Sequence, residues 1–440
     1  MRKILPALVS IIVASPTLVW AALPVCHPED FGGKGDGHTL DTTAIQKAIN
    51  TCAAQGGGKV ELGKGVWLSG PILMKNNINL VIPKGSVLQA VDDKNAFVPA
   101  FIGKPAQQRE AFILADKVHD VSLTGGGTIN GNGHKTWWPD AMSLRNLVRS
   151  GHPEAFTARY KNVPLANGMP RPWLVEVNDS AFVKIEHITL TDSPMWNLVI
   201  RKSHDINVNH LTVANPPDSP NTDGIDIVSS ADISIKHADI STGDDHISIK
   251  SGIVPAAGES SGNIAISDSI MRKGHGVSIG SETINGIGKV TVSNVDFLNS
   301  ENGIRVKSGR DRGSLIGPFI VEKIRMKDVA TPLLITDSYS GQAGAAGNSL
   351  VSSLSAEPIT KTTPLISGVS IKDFKATGAR YAMILSGLPE APVKQLKLDS
   401  VSISAEHGIQ ARYVSGVFNN VSVSASKGAE ITKGPEVNIN

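Results

Sequence analysis

The chain has 440 residues, with 42 Lys+Arg against 40 Asp+Glu, 43 Gly, 25 Pro and 2 Cys; 40% of its residues are hydrophobic and 19% are charged. These proportions exclude a disordered chain and a small disulfide-built module. Abundant Gly with only 5% aromatics suits many short strands joined by tight turns better than long helices.

Arg2 and Lys3 precede an apolar run, Ile4 to Trp20, that closes on Ala21. This pattern predicts a secretory signal over residues 1–21. The run is short for a membrane span, which needs about 20 apolar residues, and it contains Pro6 and Pro16. The expected mature chain, residues 22–440, is one domain. Without Arg2 and Lys3 it carries 40 bases against 40 acids, so no bulk basic field exists for a nucleic acid. No nucleic-acid partner is expected, and no membrane after cleavage. Cys26 and Cys52 both survive cleavage. In an oxidising compartment the two are expected to pair; two free buried thiols are the alternative. Asp41-Thr42-Thr43, followed by Ala44, Ile45, Ala48 and Ile49, predicts a capped amphipathic helix.

From about residue 180 a short pattern recurs: apolar, two mostly polar residues, apolar. It reads Ile185-Glu186-His187-Ile188, then Val208-Asn209-His210-Leu211 and Ile235-Lys236-His237-Ala238. It returns as Val292-Ser293-Asn294-Val295, Val321-Glu322-Lys323-Ile324, Ile371-Lys372-Asp373-Phe374, Leu398-Asp399-Ser400-Val401 and Phe418-Asn419-Asn420-Val421. Ile266 fills the gap after Ile235, although Ser269 breaks the pattern there. The long interval between Val321 and Ile371 holds either two coils or one coil plus an insertion at 340–363. A second short strand follows each motif at a steady offset. Repeats of this size without a helical period predict an all-β fold, a parallel β-helix. The helix after Asp41 would cap its N-terminal end, tied to the entering chain by Cys26–Cys52.

Aligning the second strands on their first inward residue, Ile225, Ile247, Val277 and Ile304, stacks Asp223, Asp245 and His275 two places earlier. Asp244 stands one place before Asp245. Arg305 and Lys307 alternate with Ile304 and Val306 and so project outward. Taken singly, each Asp is a turn residue. Together, clustered titratable groups mark a site. Carboxylates this close do not all ionise, and one protonated and one ionised carboxylate are what glycoside hydrolysis uses. The two cations suit an anionic sugar, the Arg fork in particular. Ca²⁺ wants six to eight oxygens, and Arg305 and Lys307 oppose it, so neither metal nor cofactor is expected.

The motifs Asn221-Thr222-Asp223, Gly243-Asp244-Asp245, Gly274-His275-Gly276 and Arg305-Val306-Lys307 resemble those of the polygalacturonases of glycoside hydrolase family 28. Phe31–Asp36, Gly127–Gly131, Arg171–Leu174 and Gly387–Glu390 extend the resemblance, which runs from about residue 29 to about 425. It implies a right-handed β-helix and inverting hydrolysis of α-1,4-linked galacturonan in pectin by a secreted, monomeric enzyme. By the same resemblance Asp244 is the general acid, while Asp223 and Asp245 activate water. His275 supports the acid or contacts substrate, Arg305 and Lys307 hold a uronate carboxylate, Asn221 orients the site and Tyr339 contacts substrate. Val306 replaces the usual Ile, and Asn130 stands where Asp is common. Adjacent Asp residues sit closer than the ~6.5–9.5 Å of inverting enzymes, against which the resemblance favours inversion. The lack of an obvious blocking domain favours endo action. Alternatives are an exo-polygalacturonase, a rhamnogalacturonan hydrolase, a calcium-dependent pectate lyase and a non-catalytic wall-binding β-helix.

Overall fold

The structure, a computed structural model, describes residues 23–161, 163, 165, 168–253, 258–339 and 350–440. The expected signal over 1–21 lies outside the described residues. From Val25 to Ile439 the chain winds through stacked coils whose strands pair in parallel with those of the next coil. The result is a right-handed parallel β-helix.

In the middle of the molecule each coil feeds three ladders. One joins Ile206, Ile233, Ile264, Val290 and Phe319. The second joins Val213, Ile240, Met271, Phe297 and Met326. The third joins Leu198, Ile225, Ile247, Val277, Ile304 and Leu333. All of these side chains are buried in one continuous core. The inward stack expected from the sequence is thus present and in register.

The recurring four-residue motif is the corner between the first and second ladders. Its third residue is left-handed: φ lies between 50 and 58° at His187, His210, His237, Asn294, Lys323, Asp373, Ser400 and Asn420. One such residue redirects the chain while both flanking apolar side chains stay inside. Asn, Asp and His tolerate this backbone better than β-branched residues do, which explains the polar third position. Where the motif breaks, Ser269 occupies the inward seat opposite Val295. Its hydroxyl accepts from the Ala238 N–H at 3.0 Å and donates to the Ser267 carbonyl at 2.7 Å, so the buried polar group is satisfied.

Val321 pairs directly with Ile371, so the long interval holds one coil plus an insertion. Of that insertion, residues 340–349 lie outside the described residues.

Helix α1 (Thr42–Ala54) buries Ala44, Ile45, Ala48, Ile49 and Cys52 over the first coil. Asp41 precedes it, but its carboxylate does not cap the helix. It accepts the N–H groups of Lys34 and Gly35 at 2.8 and 3.0 Å and so folds the entering segment instead. Cys26 and Cys52 form a disulfide with Cα atoms 6.1 Å apart. Three further helices, α2 (Gly133–Thr136), α3 (Trp138–Arg149) and α4 (Glu154–Thr157), leave the coil between strands Thr128–Asn130 and Trp173–Asn178. They lean on the coil turns, with the Trp138 indole N–H donating to the Ser193 carbonyl at 2.9 Å. Buried Arg171 pins the insertion's exit, donating to the carbonyls of Met169, Pro194 and Pro220, each at 2.7 Å.

Two outcomes follow from this geometry. Alkylation without reductant should label neither cysteine, and removing the disulfide should cost about 3–4 kcal/mol for a closed loop of this length. Lys323→Val should cost about 1–2 kcal/mol in chemical denaturation, because a β-branched residue enters a left-handed corner, whereas Lys323→Gly should not.

Candidate active site

The third ladder builds the site. Its strands Ile225–Val228, Ile247–Lys250, Val277–Ile279 and Asn302–Lys307 lie side by side. The turns entering the first three carry the acidic and imidazole groups, and these turns bond to one another as tightly as the strands do. Gly224 N–H donates to Asp245 O, His246 N–H to Gly276 O and His275 N–H to Asp244 O, each at 2.9 Å. Glycine is required where the coils touch. A Cβ on Gly243 would sit 2.0 Å from Ser219 O, and one on Gly276, whose φ is 98°, 2.5 Å from Gly303 O.

Asp245 is buried and both its oxygens are occupied. Oδ1 accepts from Ser278 Oγ at 2.8 Å and from Arg305 Nη1 at 3.3 Å; Oδ2 accepts from Lys307 Nζ at 2.5 Å. Burial pushes its pKa up, but Lys307 and Arg305 outweigh that and hold it low. Asp244 accepts from its neighbour's N–H and from Asn221 Nδ2 at 3.0 and 3.3 Å, and its Oδ1 meets His275 Nδ1 at 3.1 Å. Burial again raises its pKa. His275, Lys307 and Arg305 together prevail and hold it well below the usual carboxylate range.

Asp223 behaves oppositely. It is buried, its Oδ1 has no partner among the described residues, and burial beside Asp244, Asp226 and Asp245 pushes its pKa far up. Of the three carboxylates expected to share a proton, Asp223 is the one whose surroundings favour the protonated form. The surroundings of His275 likewise favour its protonated form. Burial opposes it there, but Asp244 on one side and Glu301, 3.2 Å from Nε2, on the other raise the imidazole's pKa. The neighbouring His246 is the neutral counterpart, lowered to about 4 by burial. It bridges Gly276 N–H at 3.1 Å and Arg272 O at 2.9 Å and so fixes the turn that carries His275.

Residues 98–405 match the model of the glycosyl hydrolases family 28. The chain belongs to this family. An endo-polygalacturonase of Pectobacterium carotovorum subsp. carotovorum is 32% identical over 319 residues, covering 71% of this chain and 75% of its own. Among solved structures, a hyperthermoactive exopolygalacturonase of Thermotoga maritima superposes with a TM-score of 0.67 at 23% identity, covering 95% of this chain and 92% of its own. A polygalacturonase from Erwinia carotovora ssp. carotovora gives 0.64 at 24% identity, covering 98% and 99%. The two structures bear on the fold alone; the family makes this chain a glycoside hydrolase.

In the hydrolase, all the residues singled out from sequence for the site come together. Arg305 and Lys307 project outward as expected, but Lys307 is nearly buried and tied to Asp245 instead of standing free. The Tyr339 ring lies 5.5 Å from both cations. Donor atoms of Asp244, Asp245 and His275 lie within 4.8 Å of one another. As a metal centre the set fits poorly, because the cations Arg305 and Lys307 already bond the two Asp245 oxygens and would repel an ion there. Sequence reasoning missed Ser278, Glu301, His246 and Arg145. Ser278 was findable, since it pairs in register with Arg305 on the outward side. Arg145 was not: it reaches Asn221 Oδ1 at 3.2 Å from the helical insertion.

Because Asp223's folded pKa is raised, its contribution to stability is lost as pH climbs from the ordinary carboxylate range toward that raised value. Asp223→Asn should therefore raise the thermal midpoint at neutral pH, and the gain should vanish near pH 3. Lys307→Met breaks a buried pair and should cost about 3–5 kcal/mol, measured by denaturant titration, and move Asp245's titration upward.

Proposed function

We propose that this hydrolase cleaves the α-1,4-galacturonosidic bonds of polygalacturonate, the backbone of pectin, in one inverting displacement. In this reading it acts outside the cell as a monomer without cofactor. The observation that carries it is Asp244, held between Asp245 and His275, with two outward cations on the next coil. The names of the relatives agree with this substrate, and the cations supply the reason an anionic sugar fits. Arg305 in particular keeps donors to spare, its Nε being without a partner among the described residues.

Asp244 is the proton donor to the leaving oxygen. In the free enzyme its proton sits across the 3.1 Å bond, on His275. A uronate carboxylate against Arg305 and Lys307 offsets the cations that hold Asp244 low, so the acid gains its proton when substrate arrives. Asp223 and Asp245 hold the attacking water, and Asp223 must lose its proton to activate it. The rate should therefore rise as pH climbs through Asp223's raised pKa and fall as His275 deprotonates, giving a bell whose limbs belong to the coupled set. The short gap between Asp244 and Asp245 would suit a covalent nucleophile, but Asp245 has no bare oxygen to offer an anomeric carbon.

Asp244→Asn should lower kcat by about 10²–10⁴-fold with oligogalacturonate binding retained. Proton NMR during early turnover should show the β-anomer first; an initial α-anomer would overturn single displacement. A chelator should leave the rate unchanged, with no ultraviolet-absorbing unsaturated product. Loss of activity on chelation, with such a product, would make the enzyme a lyase.

A further inference from the structure

Helix α3 brings a cation to the active site from outside the β-helix. Arg145 donates from Nη2 to Asn221 Oδ1 at 3.2 Å, and Asn221 in turn donates to Asp244. The guanidinium is partly buried and forms no ion pair among the described residues, so most of its five donors are uncommitted. Burial and Arg149 oppose its charge, while Asp244 and Asp223 support it, which places it within electrostatic reach of both carboxylates. Beside it lies a pocket of about 620 Å³ between α3, α4 and Gly168–Met169, bounded on the β-helix side by Asn221 and Arg171. Ligand pockets run to about 300–1,000 Å³.

The placement along the stack matters. Asp223, Asp244 and His275 follow one another coil by coil, and Arg305 and Lys307 stand on the coil after them. Arg145 and its pocket lie at the other end of this row. There the insertion rests on the turns that precede Asn221, through Trp138 on Ser193, Arg171 on Pro194 and Pro220, and Gly168 against the Asn221 amide. The insertion thus covers the row at its Asn221 end.

Building on the polygalacturonase reading above, we propose that Arg145 is the receptor for the carboxylate of a terminal galacturonate unit, seated in the pocket beneath α3, so that the enzyme attacks its polymer from a chain end. The occupant is an anion because the charged groups of the pocket, Arg145, Arg149 and Arg171, are all cationic in a lining otherwise mainly of Leu144, Val148, Phe156 and Met169, and Arg171 already spends its donors on carbonyls. An apolar wall against the sugar ring with a guanidinium at one edge is the arrangement that orients a uronate. The anion also belongs there sterically, since Asn221 already holds Arg145 toward the row.

The experiment is product sizing on reducing-end-labelled octagalacturonate, together with steady-state kinetics of Arg145→Ala and Arg145→Gln. Wild type should release a single small product from the first turnovers. The Gln variant keeps a donor for Asn221 but loses the charge. A charge-assisted hydrogen bond is worth about 1.5–3 kcal/mol, so both variants should raise KM about 10–100-fold, with kcat within about threefold and an unchanged thermal midpoint. A ladder of intermediate oligomers from wild type at early times, or an unmoved KM in the Gln variant, would overturn the proposal while leaving the polygalacturonase reading standing. Absence of any cleavage by wild type would remove both.

Discussion

In-register stacking of the coils is the constraint on which everything else in this molecule rests. Side chains alternate along a strand, so a slip of one residue would turn Ile247 outward and carry its neighbours into the core. The ladder Ile225–Ile247–Val277–Ile304 prevents this by filling one continuous interior, and the left-handed corners set where each strand begins. Register also fixes the chemistry. Asp244 and His275 meet because the main chain of one turn bonds the main chain of the next, Asp244 O to His275 N, with the side chains following. Gly243 and Gly276 permit that approach, and a methyl group at either would push the turns apart.

Charge is distributed over this frame against the interest of stability. Asp245 is neutralised by two cations, but Asp223 is left buried beside Asp244, Asp226 and Asp245, with an oxygen unpartnered among the described residues. A fold selected only for stability would replace it. In the proposed mechanism it is retained as the water-activating group, which must hold its proton weakly enough to release it near the working pH and strongly enough to remain basic. Lys307 is equally two-sided. Its ammonium stabilises ionised Asp245 and also depresses the pKa of Asp244. In the proposed mechanism this couples protonation of Asp244 to arrival of an anionic substrate.

The helical insertion gives the groove its polarity. Coils alone are translationally repetitive and would leave the row open at both ends. Trp138, Arg171 and Arg145 anchor α2–α4 over the turns before Asn221, breaking that symmetry on one side. The endo action expected from sequence was argued without this element, which carries no repeat and no motif.

The sequence by itself determined the coil, the inward stack and the row of Asp223, Asp245 and His275, because each is a matter of local spacing. The corner motif follows from one left-handed residue between two buried ones, and Asp223, Asp245 and His275 share a single offset from their anchors. It also determined the disulfide partners, there being two cysteines. Tertiary structure alone decided the rest. Whether Val321–Ile371 held one coil or two depended on a pairing between residues far apart. Which carboxylate is pushed toward its protonated form depended on which oxygens Lys307, Arg305 and His275 reach, since burial raises the pKa of all three acids. Arg145 entered the site through a helix with no repeat and no motif, so its position was fixed only when the insertion packed against the turns of the stack.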